Sequence, residues 1–482
     1  MHVNKHIPFQ VISMAFVIIL VLPLLIQDGM FLDGQQYACV SKNLAEGHGS
    51  LWFPHLSDTW WRAGSPHFME QPPLVYAMQA SFFKLCGDSI YTERLYSFFT
   101  LVIALMLIIS IWKTLFPKKT DKKTELHHFW WMPVLFWIWI PLTSWCYQNN
   151  LLENSMVMFD LLACLCLWKF LKNHKHKYLY FVLASLSVFA AFLSKGIPGI
   201  FPLVIIPVYG LVFKDKHIRF YVISTLGFIL LTGLWFLLIL HWGDANESLS
   251  FYLNERLLKR ITENPTVGSR FFILESLLLN LSPVLIMVLI QLLFRKRVQK
   301  IAVPQPYLRL SAFFLLIALS ATIPLMLTSV QRGFYLMPSF PFFALAAAIY
   351  CLPVIHHFMQ KLNPASKIIV MVIALLFLTS SIIFTWAKFG QTSRHERMLQ
   401  DVHAIGEVVP ENTIINVPDT LYYYNWSIQM YLTRHYNISL KVPKENSYKN
   451  TGWYLDRKNT SNDSLILQMK TEPYYLYRHK AE

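Results

Sequence analysis

Asp33, Glu153 and Asp160 are carboxylates set beside or inside long apolar runs, and Lys195 is a cation in a similar setting. An ionisable group at such a place is costly, so it needs a partner or a task. Asp33 comes just after the first apolar run and is followed by Gly34 and Tyr37, in a stretch that reads as a short helix. Glu153 opens a later apolar run, and Asp160 follows on the same helical face, about 10 Å deeper. Asp33 and Glu153, two carboxylates at one depth on one face, can deprotonate or orient an acceptor, or hold a metal. For Asp160 a helix–helix hydrogen bond is an equal reading. The other acids of residues 28–91, Glu70 among them, read mostly as the ordinary acidity of a solvated loop.

Cations that could hold an anion recur between apolar runs. Lys195-Gly196 falls in a tight turn, Arg256, Lys259 and Arg260 lie in a longer connection, and Arg332 precedes Tyr335. Arginine grips phosphate through a fork of N–H donors, whereas lysine acts as a point charge. Carboxylates and cations at a lipid boundary suggest a lipid-linked phosphate. For Arg256 and Lys259, pairing with phospholipid headgroups is the plainer alternative.

The elements that must position these groups follow from composition. The chain has 482 residues, 55% apolar and only 14% charged. That is too little charge for a soluble enzyme and too much apolar surface for disorder. The formal charge of +15 is spread in short clusters between apolar runs, so it does not indicate nucleic acid. We read about eleven spans, near 9–27, 92–113, 130–147, 152–171, 179–195, 197–213, 219–241, 271–294, 308–330, 336–354 and 366–388. The first reads as a retained anchor rather than a signal peptide. Every second connection is lysine- or arginine-rich, which puts those and the N-terminus in the cytoplasm. The long connections 28–91 and 242–270 and the segment 390–482 are then extracytoplasmic. Val75–Leu85 reads as a helix lying along the interface. Residues 390–482 read as a small α/β domain, with a capping box from Ser393 to Glu396 and strand-like runs at Thr413–Val417 and Leu465–Met469. Cys164 and Cys166 lack a second ligand pair and read as small hydrophobes. Whether Cys39 and Cys86 pair is open.

At these residues the sequence resembles the GT-C superfamily of membrane glycosyltransferases, within it the bacterial lipid A aminoarabinose transferases and the protein O-mannosyltransferases. The resemblance rests on Asp33 and Tyr37 after the first span, then Glu70, Pro72, Pro73 and Leu74, then Gly87, Arg94 and Leu95. It continues with Glu153 opening the fourth span, Lys195-Gly196 after the fifth, and Arg332, Tyr335 and Pro338 after the ninth. It covers about 1–390. The chain departs from the pattern at Gly34, where the family usually has a second acid, and at Gln71, where it usually has a lysine. These departures, with fewer spans than the lipid A enzymes, lean toward the wider family.

The resemblance implies an all-α polytopic membrane protein of GT-C type, with a transmembrane domain over 1–389 and an extracytoplasmic domain over 390–482. It implies a glycosyltransferase of the bacterial inner membrane that takes sugar from a polyprenyl-phosphate donor. The acceptor would be a lipid, a glycan or a protein on the extracytoplasmic face. Asp33 and Glu153 would be catalytic, and Lys195, Arg260, Arg332 and Tyr335 would hold the donor phosphate. Tyr37, Glu70, Pro72, Pro73, Arg94 and Arg256 would support them. A divalent metal stays open, with Glu70 the candidate ligand. The rival reading is a transporter or flippase of lipid-linked sugars, which calls for paired ionisable groups near the midplane and an internal repeat.

Overall fold

The computed structural model describes residues 5–60, 65–118, 125–259, 265–294, 303–443, 452–459, 465–471 and 473–479. In chain order, α1 spans Ile7–Leu25, α2 Leu32–Glu46, α3 Leu74–Cys86 and α4 Thr92–Leu115. Next come α5 (Trp131–Ile138), α6 (Pro141–Gln148), α7 (Leu152–Leu171) and α8 (Lys177–Lys195). A 3-10 stretch, Ile197–Val204, leads into α9 (Ile205–Phe213), α10 (Ile218–Leu240) and α11 (Gly243–Phe251). Then follow α12 (Phe272–Phe294), α13 (Gln305–Thr322), α14 (Phe340–Gln360) and α15 (Pro364–Ala387). The C-terminal segment holds α16 (Glu396–Val408), β1 (Ile414–Asn416), α17 (Asp419–Tyr424), α18 (Trp426–Tyr436), β2 (Ser439–Lys441), β3 (Trp453–Asp456), β4 (Leu465–Lys470) and β5 (Tyr475–His479).

Among the described residues, nine helices are long and apolar enough to cross a membrane, or ten if the bent pair Glu125–Ile138 and Pro141–Gln148 is counted as one span. The chain is a multi-pass membrane protein. The bend, 79°, falls where Pro141 starts α6 without a backbone N–H to continue the ladder. The run 197–213, read as a span from its hydropathy, forms a shorter element. Pro198 and Pro202 keep its first half in 3-10 geometry, and only Ile205–Phe213 is α-helical.

Two compact units divide the chain. One comprises Met1–Leu25, Ser97–Gln148 and Leu152–Phe389. Its centre is α7, buried along almost its whole length and packed on α8. The other comprises Ile26–Tyr96, Asn149–Leu151 and Gly390–Glu482, so the first long connection folds with the C-terminal segment.

That second unit contains a five-stranded sheet in the order β2-β1-β3-β5-β4. β1 is parallel to β2 and β3, and β5 is antiparallel to β3 and β4. α17 and α18 lie between the parallel β1 and β2, as a crossover requires. Val402, Ile405, Ile415, Ile428, Leu440 and Leu455 form its apolar core. The capping box expected from Ser393 to Glu396 does not form. His395 precedes α16 with φ 58° and no side-chain cap, and the Ser393 hydroxyl donates instead to the Asp28 carbonyl at 2.9 Å.

A buried ionic network explains why Ile26–Tyr96 and the C-terminal segment fold together. Arg434, on α18, is 1% exposed; its guanidinium donates to Glu93 Oε2 at 2.8 Å, to Asp88 Oδ1 and to the Ser89 carbonyl. Lys42, on α2, pairs with Asp88 Oδ2 at 2.7 Å and donates to the Arg434 carbonyl at 3.3 Å. These contacts satisfy most donors of the buried guanidinium, the condition under which a buried charge is tolerated. Cys39 and Cys86 are both free thiols, the first buried and the second exposed.

Candidate functional site

In the first unit, Glu153 sits in the first turn of α7 and Lys195 is the last residue of α8. Lys195 Nζ lies 3.2 Å from Glu153 Oε1, with the two side chains only 7% and 1% exposed. The same ammonium stands 5.8 Å from the Phe334 ring centre and 5.9 Å from that of Tyr335, within cation–π range. Phe334 is stacked on Trp145 at 6.0 Å.

Local geometry fixes this lysine from behind. Gly196 takes φ 88° and ψ −147°, which ends α8 abruptly, and its N–H donates to the Phe192 carbonyl at 2.6 Å. A Cβ at this glycine would come within 1.8 Å of Tyr252 Oη, so only glycine allows the approach. The Tyr252 hydroxyl donates to the Lys195 carbonyl at 3.5 Å. Tyr252 begins a π-helical stretch, Tyr252–Leu258, that continues α11. Such π-turns are frequent at functional sites. The long connection 242–270 is thus largely helical where it is described.

Tyr335 and Pro338 lie on the 3-10 turn Gly333–Ser339, which starts at Arg332. The buried Gln331 side chain pins this segment. Its Oε1 accepts from the Ile273 N–H at 3.0 Å, and its Nε2 donates to the carbonyls of Thr328 at 2.8 Å and Arg270 at 2.9 Å. Arg332 is exposed, and Arg256 is half-buried on the π-helical stretch. Lys259 pairs with Glu255 on the surface. Arg260 lies outside the described residues.

In the second unit, Asp33 occupies the first turn of α2, half-buried, where a negative charge complements the helix N-terminus. Tyr37 follows one turn later, buried, with its ring 6.0 Å from that of Tyr76 on α3. Gly34 explains one departure from the family pattern. A Cβ there would fall 2.1 Å from the Asn149 carbonyl oxygen, so this chain has no room for a second acid. Asn149 and Asn150 lock the arrangement. The Asn149 side chain accepts from the Phe31 N–H at 2.8 Å, while Asn150 accepts from Gln79 at 2.9 Å and donates to the Gly34 carbonyl at 3.3 Å. Glu70 is half-buried just before the buried Pro72 and Pro73, and Pro73 provides the N-cap of α3.

Arg94, 3% exposed, is a structural clamp. Its Nε donates to the Gln27 carbonyl at 2.8 Å and its Nη2 lies 3.5 Å from Asp28 Oδ1. Burial pushes the Asp28 carboxyl upward, but the His403 hydrogen bond and the charge of Arg94 outweigh it and hold its pKa at about 2. Among the described residues no three of histidine, cysteine, aspartate and glutamate gather as a metal ligand set.

The structure thus brings Glu153, Lys195 and Tyr335 together, and Asp33 belongs to the other compact unit. Sequence reasoning missed Tyr252, Gln331 and the Asn149-Asn150 pair. Only the asparagine doublet, ending a short apolar helix, left a trace in the sequence.

Fold and site define a polytopic, mainly helical membrane protein with a small C-terminal α/β segment. No family model matches the chain, and no curated protein matches it. Among solved structures, it is similar to ArnT from Cupriavidus metallidurans bound to undecaprenyl phosphate, at a TM-score of 0.64 and 15% identity over 98% of this chain and 97% of that one. The apo form of that ArnT gives a TM-score of 0.62. The apo oligosaccharyltransferase of Archaeoglobus fulgidus gives 0.53 at 11% identity, over 91% of this chain and 64% of that one. At these identities the likeness is one of fold.

Proposed function

We propose that the protein is an integral-membrane glycosyltransferase that moves a sugar from a polyprenyl-phosphate donor to an acceptor on the extracytoplasmic face of a bacterial inner membrane. The observation that carries the reading is the buried Lys195–Glu153 pair beside Tyr335, a fixed cation in a chain with the fold of an ArnT structure that holds undecaprenyl phosphate. A glycosyl phosphate already has a good leaving group. What its departure needs is charge stabilisation, which a preorganised ammonium provides at little reorganisation cost.

In this reading Lys195 meets the departing phosphate, Glu153 holds the ammonium in place, and Tyr335 donates a hydrogen bond. Arg332 and Arg256 would add charge, as would Arg260, which lies outside the described residues. The acceptor hydroxyl attacks the anomeric carbon, the carbon–oxygen bond to phosphate breaks, and both electrons leave with the phosphate, inverting the centre. Asp33, assigned from the family motif, takes the hydroxyl proton. A phosphate acceptor would need no base, and Asp33 would then only orient it. Asp160 is fully buried with no second ionisable group paired to it among the described residues, so nothing favours a transport reading.

Mass spectrometry of lipids and proteins from cells with and without this chain tests the function. A fixed sugar increment on one molecule class is the expected result. Identical spectra, with the chain present in the membrane, would count against it.

A further inference from the structure

Away from Lys195, a cavity of about 530 Å³ lies along α9 and α10. Its floor is Gly210 and Tyr221, packed so closely that a Cβ at 210 would sit 2.8 Å from the tyrosine ring. Leu211, Val222 and Leu226 form its walls, and all three are exposed. Its other end is set by Lys214 and Lys216, in the short connection between the two helices.

The charges of that connection are unevenly used. Asp215 accepts from the Tyr209 hydroxyl at 2.6 Å and the Tyr221 hydroxyl at 2.5 Å, and Lys172 Nζ lies 3.5 Å away. Lys216 donates to the Leu171 carbonyl at 2.8 Å and to Asn173 Oδ1 at 3.5 Å and rests over the Phe220 ring, which leaves one N–H donor of its ammonium. Lys214 takes φ 53°, a conformation a lysine adopts at a cost, and among the described residues it pairs with no carboxylate. Basic groups therefore sit at one end of an apolar groove whose walls continue the outward face of a membrane-spanning helix.

We propose that this groove binds one anionic glycerophospholipid, with its phosphate on Lys214 and Lys216 and an acyl chain along Leu211, Val222 and Leu226. The ligand must carry an anion at the helix end and hydrocarbon along the helix, which is the chemistry of such a lipid. The path 197–213 separates Lys214 from Lys195 by roughly 30 Å of helix, so the groove is a separate site.

The test is native mass spectrometry of the full chain in mild detergent, titrated with dioleoylphosphatidylglycerol, dioleoylphosphatidylcholine or undecaprenyl phosphate. One phosphatidylglycerol should be retained well above phosphatidylcholine. Lys214→Ala should weaken it roughly fivefold, and Leu211→Trp, which fills the groove, should also displace it, both with unchanged unfolding temperature. Leu238→Trp, exposed near the far end of α10 and turned away from the groove-lining stripe, should leave it bound. Equal retention of the two phospholipids, or full retention by both groove variants, overturns the proposal. So does undecaprenyl phosphate displacing phosphatidylglycerol from the wild type but not from Lys214→Ala, which would make the groove a carrier site.

Discussion

Lys195 Nζ and Glu153 Oε1 stand 3.2 Å apart inside the helix bundle, both nearly sealed from solvent. Removing one member of such a pair strands the other's charge, at a cost of about 3–5 kcal/mol. Lys195→Met and Glu153→Gln should each lower the unfolding temperature of the detergent-solubilised protein. The double variant should recover most of that loss, because it leaves no buried charge. Additive losses in the double variant would show that the two groups do not act as a pair.

Gly196→Ala tests the turn that presents Lys195. The left-handed conformation at 196 disfavours any side chain, and the new Cβ would press on Tyr252 Oη. A destabilisation of about 1–3 kcal/mol is expected, with loss of transfer. Adding Tyr252→Ala should relieve the collision but not the backbone cost, so rescue should be partial. Full activity in Gly196→Ala would mean the turn does not matter.

Acid should loosen the unit that carries the sheet, for two reasons of the same sign. The Asp28 pKa is held at about 2, below the ordinary carboxylate value, so its contribution is present above pH 4 or so and is lost as pH falls toward 2. That contribution is about 2 kcal/mol. Burial and the neighbouring Arg434 charge hold the His435 pKa at about 3, so the folded state keeps it neutral while the unfolded chain takes up a proton below about pH 6.5. Thermal unfolding of the full chain should therefore drop steadily from pH 7 to pH 4, and His435→Gln should flatten that slope. A variant with the wild-type slope would remove the histidine from the account.

Asp33→Asn should insert and fold normally, since an amide of nearly the same shape replaces the half-buried carboxylate and the charge lost at the helix N-terminus is worth about 0.3–1 kcal/mol. Transfer to a hydroxyl acceptor in proteoliposomes should fall by at least about 100-fold. Near-normal turnover would leave Asp33 without a chemical role.

What could be read from sequence was what the chain encodes locally. The long apolar runs, the helix at Asp33, the tight turn at Lys195-Gly196 and the strand-like runs of the C-terminal segment all have short-range signatures. Prolines at 198 and 202 were visible too, yet a hydropathy window does not weigh the hydrogen bonds they remove, and the run 197–213 was read as a full span. Arg434 carries no local signature. Its partners, Asp88 and Glu93, lie more than three hundred positions away, and nothing local marks a guanidinium for burial. Gln331 was invisible for the same reason: its value is the set of backbone groups it happens to meet. Ser393 had the spacing of a cap, but a tertiary contact with Asp28 offered its hydroxyl a different acceptor.

The decisive measurement uses the Glu153→Gln/Lys195→Met double variant, which is expected to stay folded, in proteoliposomes supplied with a polyprenyl-phosphate sugar. Turnover should fall at least about 100-fold against the wild type, because the departing phosphate loses its fixed cation. A folded double variant that transfers sugar at the wild-type rate would contradict the assignment of Lys195 to the phosphate.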